Sequence, residues 1–254
     1  ADGQTIEQQC AYINAYLVAG ASVIVEKANQ PLGGQAEMLR GNQATDGGHL
    51  LLTRAEVDAL GLSTAQRQRL IRRFYGSAEF IRGQERYCLW ITDADLPEAK
   101  SIAPIAQRIE GVRAMRLASR DKGANDMAER AHQFREMLFG HSHTIVVPRV
   151  SSENRAFLPV GIVQGETIIG DRNFARYDAP LWNLALIASR LHWVWIGAVC
   201  VRLEMRFSYS NTLGWNTFPL PKLTAQQKID LRHSAEAILQ AREAHFPATI
   251  ADLY

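Results

Sequence analysis

Apolar positions recur along this chain with two different spacings, which predict helices and short strands in irregular alternation. Helical spacing marks residues 5–17, residues 125–138 and the stretch from Thr224 to His245. Runs rich in β-branched and aromatic residues predict strands at 22–25, 50–52, 85–91, 144–150 and 156–163. The segment 208–221 is predicted to form strand, turn and strand.

Local signals place several helix ends. Thr53 with Glu56, and Ser63 with Gln66, form capping-box patterns that predict two helix starts. Two longer helical stretches are predicted to be interrupted, 95–117 near Pro104 and 181–201 near Ser189. The pattern lacks a βαβ rhythm. It predicts an α+β fold of helices mixed with short, mainly antiparallel strands, and a C-terminal helical segment over 222–254 that follows a domain over 1–221.

Composition narrows the class of protein. The chain has 254 residues, of which 47% are hydrophobic, so it can bury a sizeable core. The net charge of +2 excludes a uniformly polybasic chain, but charge is uneven, because residues 67–155 hold 16 Lys and Arg against 11 Asp and Glu. An anionic partner is therefore expected to meet this middle region.

Cysteine usage and hydropathy indicate a cytoplasmic protein. The three cysteines are far apart in sequence and lie among apolar residues, which predicts buried free thiols in a reducing compartment. The most apolar run, 181–203, is interrupted by Asn183, Arg190, His192 and Arg202. It predicts a buried helix pair and no membrane span.

Candidate catalytic and metal-binding patterns are weak. The chain has no nucleotide-binding glycine fingerprint, and its two Gly-Gly pairs, in the long loop 29–48, are interpreted as turns. Asp93, Glu98 and Lys100 loosely imitate a metal-dependent nuclease, but an acidic helix start explains them better. His141 and His143 lack a third ligand nearby in sequence, so no metal site and no catalytic residue is assigned.

A polar turn between two predicted strands is the strongest functional signal. Ser151, Ser152, Glu153 and Arg155 supply hydroxyls, a carboxylate and a guanidinium within five residues. A glutamate can accept a hydrogen bond from cytosine N4, and an arginine can donate two to guanine. The alternative is that Glu153 and Arg155 pair with each other or cap the turn.

Arginines form clusters that suit phosphate binding. Arg113, Arg116 and Arg120 are spaced at i, i+3 and i+7, which places them on one helix face. The proposed contacts to the DNA backbone are Arg113, Arg116, Arg120, Lys122, Arg149 and Arg172. The alternative is an ordinary solvated surface.

Blocks along the chain also carry a family resemblance. They include RFYGSAEFI at 73–81, RYCLWI at 86–91, VPRVSSENR at 147–155 and YSNTLGWNTFPLP at 209–221. Together with further blocks they run in order from about Ile13 to the C-terminus. In number and order they resemble the C-terminal part of the MmeI-like family of single-chain DNA adenine methyltransferases, many of which are also restriction enzymes.

The resemblance implies a DNA target-recognition domain over 1–221 and a helical tail over 222–254. The family's Asn-Pro-Pro-Tyr methylase motif and its glycine-rich cofactor motif do not occur in this sequence. The chain is thus expected to be a non-catalytic fragment without a cofactor, whose parent binds S-adenosylmethionine in a separate methylase domain. Its implied partners are double-stranded DNA and that methylase domain, and Glu153 and Arg155 are implied to contact bases.

Two other classes of function stay open from the sequence. One is a stand-alone metal-dependent nuclease that uses Asp93, Glu98 and Lys100. The other is a protein-interaction module. Its terminal helix would dock onto a partner helix through Ile229, Ala235, Ile238 and Leu239.

Overall fold

The computed structural model describes residues 7, 9–14, 17, 19–22 and 24–254. The α-helices are α1 Arg54–Ala59, α2 Thr64–Leu70, α3 Ser77–Arg82, α4 Leu96–Ser101, α5 Ala103–Ala118, α6 Lys122–Asn125, α7 Trp182–Ala188, α8 Arg190–Val199, α9 Ala225–Glu243 and α10 Ile250–Leu253. The strands are β1 Leu39–Arg40, β2 Leu51–Leu52, β3 Ile71–Tyr75, β4 Tyr87–Leu89, β5 His143–Pro148, β6 Val150–Ser151, β7 Gly161–Gln164, β8 Ile168–Ile169, β9 Asn173–Tyr177, β10 Arg202–Leu203 and β11 Arg206–Ser208.

Three small sheets organise these elements, in the strand orders β1-β9-β5-β7, β2-β4-β3-β8 and β10-β11-β6. Within the described residues, β3 and β8 are the one parallel pair of named strands, and the other pairs are antiparallel. The predicted α+β class, with mainly antiparallel strands and a helical C-terminal end, is therefore confirmed.

The hydrophobic residues pack into two main clusters. One surrounds α7, α8 and the β5–β9 pair, with Trp215 and Phe218 fully buried at its centre. The other surrounds β2, β3, β4 and α5. A third, small cluster contains Phe80, Val146, Ile169 and Ala175, and so joins the first sheet to the end of β8. The sheet β1-β9-β5-β7 therefore packs mainly on the first cluster, and the sheet β2-β4-β3-β8 packs mainly on the second.

The predicted helix starts and interruptions are confirmed. Both capping boxes form, at Thr53 and at Ser63. α4 ends at Ser101 and α5 begins at Ala103, with proline in its first turn. Ser189 ends α7 and caps α8, because its hydroxyl accepts a hydrogen bond from the His192 N–H. These signals depend only on residues within one turn, so they are legible in sequence.

The predicted helix over 125–138 is wrong. Only α6 and a 3-10 turn at Ala128–Arg130 are helical there, and the chain then continues through turns. In this stretch the carbonyl oxygens of Met127, Arg130 and Gln133 accept hydrogen bonds from the buried guanidinium of Arg116. These bonds satisfy buried backbone groups without a regular helix, and the spacing of apolar residues does not reveal them.

The predicted strand pair around the polar turn is confirmed only in part. β5 and β7 do pair, from His143↔Gln164 to Val146↔Gly161. The chain between them is no tight hairpin, since β6 leaves this sheet and pairs with β11. The segment 208–221 is also different from the prediction, because a π-helical turn at Asn211–Trp215 follows β11 and no second strand forms there.

The predicted N-terminal helix over 5–17 and strand over 22–25 lie partly outside the described residues. In their described part, Ile13 and Ala19 form an antiparallel bridge, and residues 22, 24 and 25 have no regular structure. Cys88 and Cys200 are buried free thiols as predicted, whereas Cys10 is exposed. Within the described residues, no helix has both the length and the apolar character needed to cross a membrane.

The terminal helix α9 packs one face against the cluster around α7. Ala235 is fully buried, and Leu231, Ile238 and Leu239 pack on the cluster around α7. Ile229 stays 46% exposed. The apolar face that the sequence offers to a partner helix is thus largely covered by the chain's own α7.

Candidate nucleic-acid interface

The polar turn at Ser151–Arg155 projects from the end of β6. Phe207 of β11 is the register partner of Ser151, which anchors the start of the turn in a sheet. The Asn154 N–H donates to Ser152 Oγ over 3.2 Å, and the Arg155 N–H approaches the Ser152 carbonyl at 3.4 Å. These local bonds fix the backbone of the turn without using the charged side chains.

Glu153 and Arg155 do not neutralise each other. Within the described residues, the Glu153 carboxylate has neither an ion pair nor a hydrogen bond, although the side chain is half-buried. Arg155 Nη1 lies 3.4 Å from Ser151 Oγ, and burial lowers the pKa of this guanidinium. The structure therefore does not show the alternative in which Glu153 and Arg155 pair with each other. Both remain available to a ligand.

The turn forms one wall of a groove of about 470 Å³. The buried rings of Trp193 and Phe207 pack edge to face at 4.7 Å and form part of its lining. Arg190 also lines the groove, where its guanidinium donates to the Ala156 carbonyl over 2.6 Å. The groove thus combines a carboxylate and two guanidiniums, which are groups that recognise base edges and phosphates.

Ser151 differs from the other turn residues in exposure. It is 3% exposed, and its hydroxyl faces the guanidinium of Arg155. The prediction that Ser151 itself meets a base edge therefore conflicts with its burial. Ser152 and Glu153 are half-buried and Asn154 is exposed.

A second cationic group lies where β5 ends and β9 begins. Pro148 and Asn173 are register partners, so the residues next to them, Arg149 and Arg172, meet at the same end of the sheet. The Arg149 guanidinium donates to the Asp171 carbonyl over 2.9 Å and lies over the ring of Phe174. Arg172 is exposed, and its side chain has no partner within the described residues.

Arg40 joins this group from β1. Its guanidinium pairs with the Asp171 carboxylate at 2.7 Å. Burial, and then the positive charges of Arg40 and Arg172, lower the pKa of Arg149, which indicates that the three guanidiniums lie close together. With one carboxylate among three cations, this end of the sheet is electropositive. Arg40 is not among the predicted contacts, because a strand of only two residues in a glycine-rich loop gives no periodic signal.

The predicted cationic helix face requires a correction at Arg116. This residue is fully buried, and its guanidinium donates to the carbonyls of Ala44, Thr45, Met127, Arg130 and Gln133. Every bond lies between 2.8 and 3.0 Å, and burial lowers the pKa of Arg116 to about 10. Arg116 is a core residue that cannot reach a phosphate.

A signal for this burial existed in the sequence. The buried residues of α5 are Ile105, Ile109, Val112 and Arg116, so Arg116 continues an apolar stripe. Arg113 instead lies on the exposed side and pairs weakly with Glu110 at 3.5 Å. Arg120 and Lys122 are exposed beyond the end of α5. Of the four predicted contacts on α5 and just beyond it, Arg113, Arg120 and Lys122 are accessible and Arg116 is not.

The acidic residues of the nuclease hypothesis, Asp93 and Glu98, each contact different neighbours in the fold. Asp93 meets His132 at 2.9 Å and Gln133 at 3.0 Å, while Glu98 pairs with Arg69 at 3.0 Å. His143 Nε2 is 2.7 Å from the Ala179 carbonyl. Within the described residues, no group of three or more His, Cys, Asp or Glu side chains is placed to hold a metal ion.

Comparison with known proteins places the chain in a family. A family model described as "MmeI, target recognition domain" matches residues 19–222. DNA methyltransferase A of Bacillus subtilis (strain 168) is 36% identical over 243 residues, which is 95% of this chain and 27% of that protein. The solved structure of the type IIL restriction-modification enzyme MmeI in complex with DNA is 32% identical, with a TM-score of 0.92 over 99% of this chain and 34% of that chain.

The chain thus spans between a quarter and about a third of the length of these two relatives. The family model alone covers most of the described residues, including both the polar turn and the Arg149–Arg172 end of the sheet. This chain belongs to the MmeI target recognition domain family.

Proposed function

We propose that this chain recognises the DNA target of an S-adenosylmethionine-dependent adenine-N6 DNA methyltransferase. The observation that carries the proposal is that Glu153 and Arg155, on one fixed turn at the rim of a groove, have no ion-pair partner within the described residues. Glu153 would accept from cytosine N4, and Arg155 would donate to guanine O6 and N7. Each such contact is worth about 1–3 kcal/mol of discrimination between bases.

The serines of the turn take supporting roles in this proposal. Ser151 is buried, and its hydroxyl would orient Arg155 towards the groove. Ser152 accepts from the Asn154 N–H, and its own hydroxyl proton is left to donate to a base or a phosphate. Ser151 is thus proposed as a positioning residue, and Ser152, Glu153 and Arg155 as contact residues.

Phosphate binding is assigned to accessible cations. Arg149 and Arg172 would bind the DNA backbone beside the polar turn, with Arg40 as a third member of the group. Arg113, Arg120 and Lys122 form a separate candidate set at the end of α5. Such contacts fix the register of the protein on DNA and carry little sequence information.

The remaining parts of the reaction are proposed to lie in the parent protein. A methylase domain would flip the adenine out of the helix and transfer the methyl group from S-adenosylmethionine in the cytoplasm. The recognition part would be 1–221 and the helical tail 222–254. Support comes from the relatives, one named a DNA methyltransferase and the other solved in complex with DNA.

Duplex-DNA binding by this chain across a salt series tests the proposal. We expect weak binding. The logarithm of the association constant should fall linearly with the logarithm of the salt concentration, with a slope of about 0.9 for each phosphate that the protein neutralises. Lys100→Gln is the matched control, since Lys100 is exposed and belongs to no proposed contact. An affinity that is indifferent to salt, or absent at low salt, would contradict the proposal.

A further inference from the structure

A cavity of about 680 Å³ lies away from the polar turn, between the loop at 32–36, the end of β9 and the start of the tail. Its lining includes Gly33, Gln35, Arg176, Trp182, Asn183 and Lys228. The volume falls within the range of small-molecule sites. Neither the polar turn nor the Arg149–Arg172 end of the sheet contributes to it.

Arg176 is a buried cation that the protein leaves incompletely paired. The residue is 4% exposed, and its Nη1 is buried without a hydrogen-bond partner among the described residues. Its guanidinium lies 4.8 Å from the centre of the Trp215 ring. Burial lowers the pKa of Arg176 to about 10, so the group stays protonated at neutral pH.

An anion would complete this group. Within the described residues, no carboxylate lies within ion-pair distance of Arg176, in contrast to Arg69 and Arg108, which pair with Glu98 and Glu56. A charge held away from water without a counter-ion is unfavourable for folding. A buried charged group beside a cavity and without a partner in the protein is therefore a candidate for binding a ligand of opposite charge.

Two amide oxygens in the lining of the same cavity need hydrogen-bond donors. Within the part of the chain that the structure describes, Asn183 Oδ1 and Gln35 Oε1 are buried acceptors without a donor. Their orientation is fixed, because Asn183 Nδ2 donates to the Pro180 carbonyl at 2.7 Å and Gln35 Nε2 to the Trp215 carbonyl at 3.3 Å. A ligand that satisfies all three groups must therefore carry both an anionic group and hydroxyl donors. A carboxylate without hydroxyl groups does not meet this requirement.

The mouth of the cavity is cationic, and the loop beside it packs closely on the chain before the tail. Lys222 and Lys228 line it without an acidic residue, and the Lys228 ammonium lies 5.7 Å from the centre of the Trp182 ring. Gly33 packs closely on the segment just before the tail, so that a Cβ there would come within 2.8 Å of the Leu220 carbonyl oxygen. The Gly33-Gly34 turn thus permits the close contact between the loop and this segment beside the cavity.

From these groups we propose that the cavity binds a small phosphorylated molecule that carries hydroxyl groups. The phosphate bonds to Arg176, with Lys222 and Lys228 at the entrance. The hydroxyls donate to Asn183 and Gln35, and the ring of Trp182 and the prolines of the rim cover the apolar part of the ligand. This site is independent of DNA recognition by the polar turn.

Thermal unfolding and calorimetry of the chain with ribose 5-phosphate, with inorganic phosphate and with chloride at equal ionic strength test the site. We expect ribose 5-phosphate to raise Tm and to bind more tightly than inorganic phosphate, and chloride to do neither. The Lys222→Gln/Lys228→Gln variant should bind roughly threefold to tenfold more weakly, as expected for two exposed charges. Lys100→Gln should bind like the unaltered chain.

Arg176→Met separates a ligand site from a structural arginine. A ligand role predicts that the variant without phosphate unfolds at or above the original Tm and shows no shift with ribose 5-phosphate. If Arg176→Met does not fold, the lysine variant alone decides. Equal effects of phosphate esters and chloride, or unchanged binding in the lysine variant, would overturn the proposal. So would protection by duplex DNA in the absence of any response to the two small phosphates.

Discussion

Arg155 Nη1 lies 3.4 Å from the hydroxyl oxygen of Ser151, four residues earlier, and this contact orients the guanidinium along the rim of the groove. Ser151 is in turn fixed by the pairing of β6 with β11. The half-buried guanidinium of Arg155 is thus held by a fully buried residue. A base contact needs this arrangement, because a guanidinium free to rotate would lose conformational entropy on binding.

Replacement of Ser151 tests the support. Ser151→Ala removes the acceptor but leaves Glu153 and Arg155 in place. We expect DNA affinity to fall by about two- to fivefold, less than for Arg155→Ala, because a long hydrogen bond contributes little on its own. Filter binding on one preferred duplex measures both. An effect of Ser151→Ala larger than that of Arg155→Ala would show that Ser151 itself contacts the DNA.

Replacement of Arg172 tests backbone binding. Arg172→Gln removes an exposed cation that has no protein partner within the described residues. Affinity is expected to fall to a similar extent on all DNA sequences, and the slope of affinity against salt to decrease by about one phosphate contact. Unequal losses among sequences would instead assign Arg172 to base recognition.

Arg116 offers a test of structural role against binding role. Arg116→Met removes five hydrogen bonds to backbone carbonyls, and we expect the free energy of unfolding to fall by at least about 3 kcal/mol. Arg113→Ala, on the exposed side of the same helix, should change it by less than about 0.5 kcal/mol. Urea denaturation measures both. A stable Arg116→Met protein with weakened DNA binding would restore the original prediction.

Arg116 and Ser189 mark what the sequence could and could not predict. Ser189 caps α8 through a residue three positions away, so the signal is local and the helix break was predicted correctly. Arg116 finds its acceptors at Ala44 and Gln133, far from it in sequence. Local patterns do not reveal such tertiary bonds, and this is why a buried residue was predicted to contact phosphate. Arg40 was missed for the same reason, since only the β1–β9 register brings it beside Arg149.

His192 predicts how stability depends on pH. Its ring is fully buried against Tyr209 and Phe218, and burial lowers its pKa to about 3. In the unfolded chain the group titrates near 6.5, so below that pH the unfolded state binds a proton that the folded state does not. Stability is therefore fully present above about pH 6.5 and is lost as the pH falls towards 3.

The expected loss from this one group approaches about 1.4 kcal/mol for each pH unit below 6. Urea denaturation between pH 7 and 5 measures it, and His192→Phe should reduce the slope, whatever its own effect on stability at pH 7. His233, which is exposed on α9, provides the control, since His233→Phe should leave the slope unchanged. An equal slope in all three proteins would contradict the role assigned to His192.

Arg155 and Glu153 are proposed to select bases, and selection of bound duplexes from a randomised pool at low salt tests this role. We expect the unaltered chain to enrich duplexes with a defined G·C base pair. Arg155→Ala should lose this preference while its affinity for unselected DNA falls by less than about threefold, because phosphate contacts supply the non-specific part. Enrichment of the same duplexes by Arg155→Ala and by Glu153→Gln would contradict the claim.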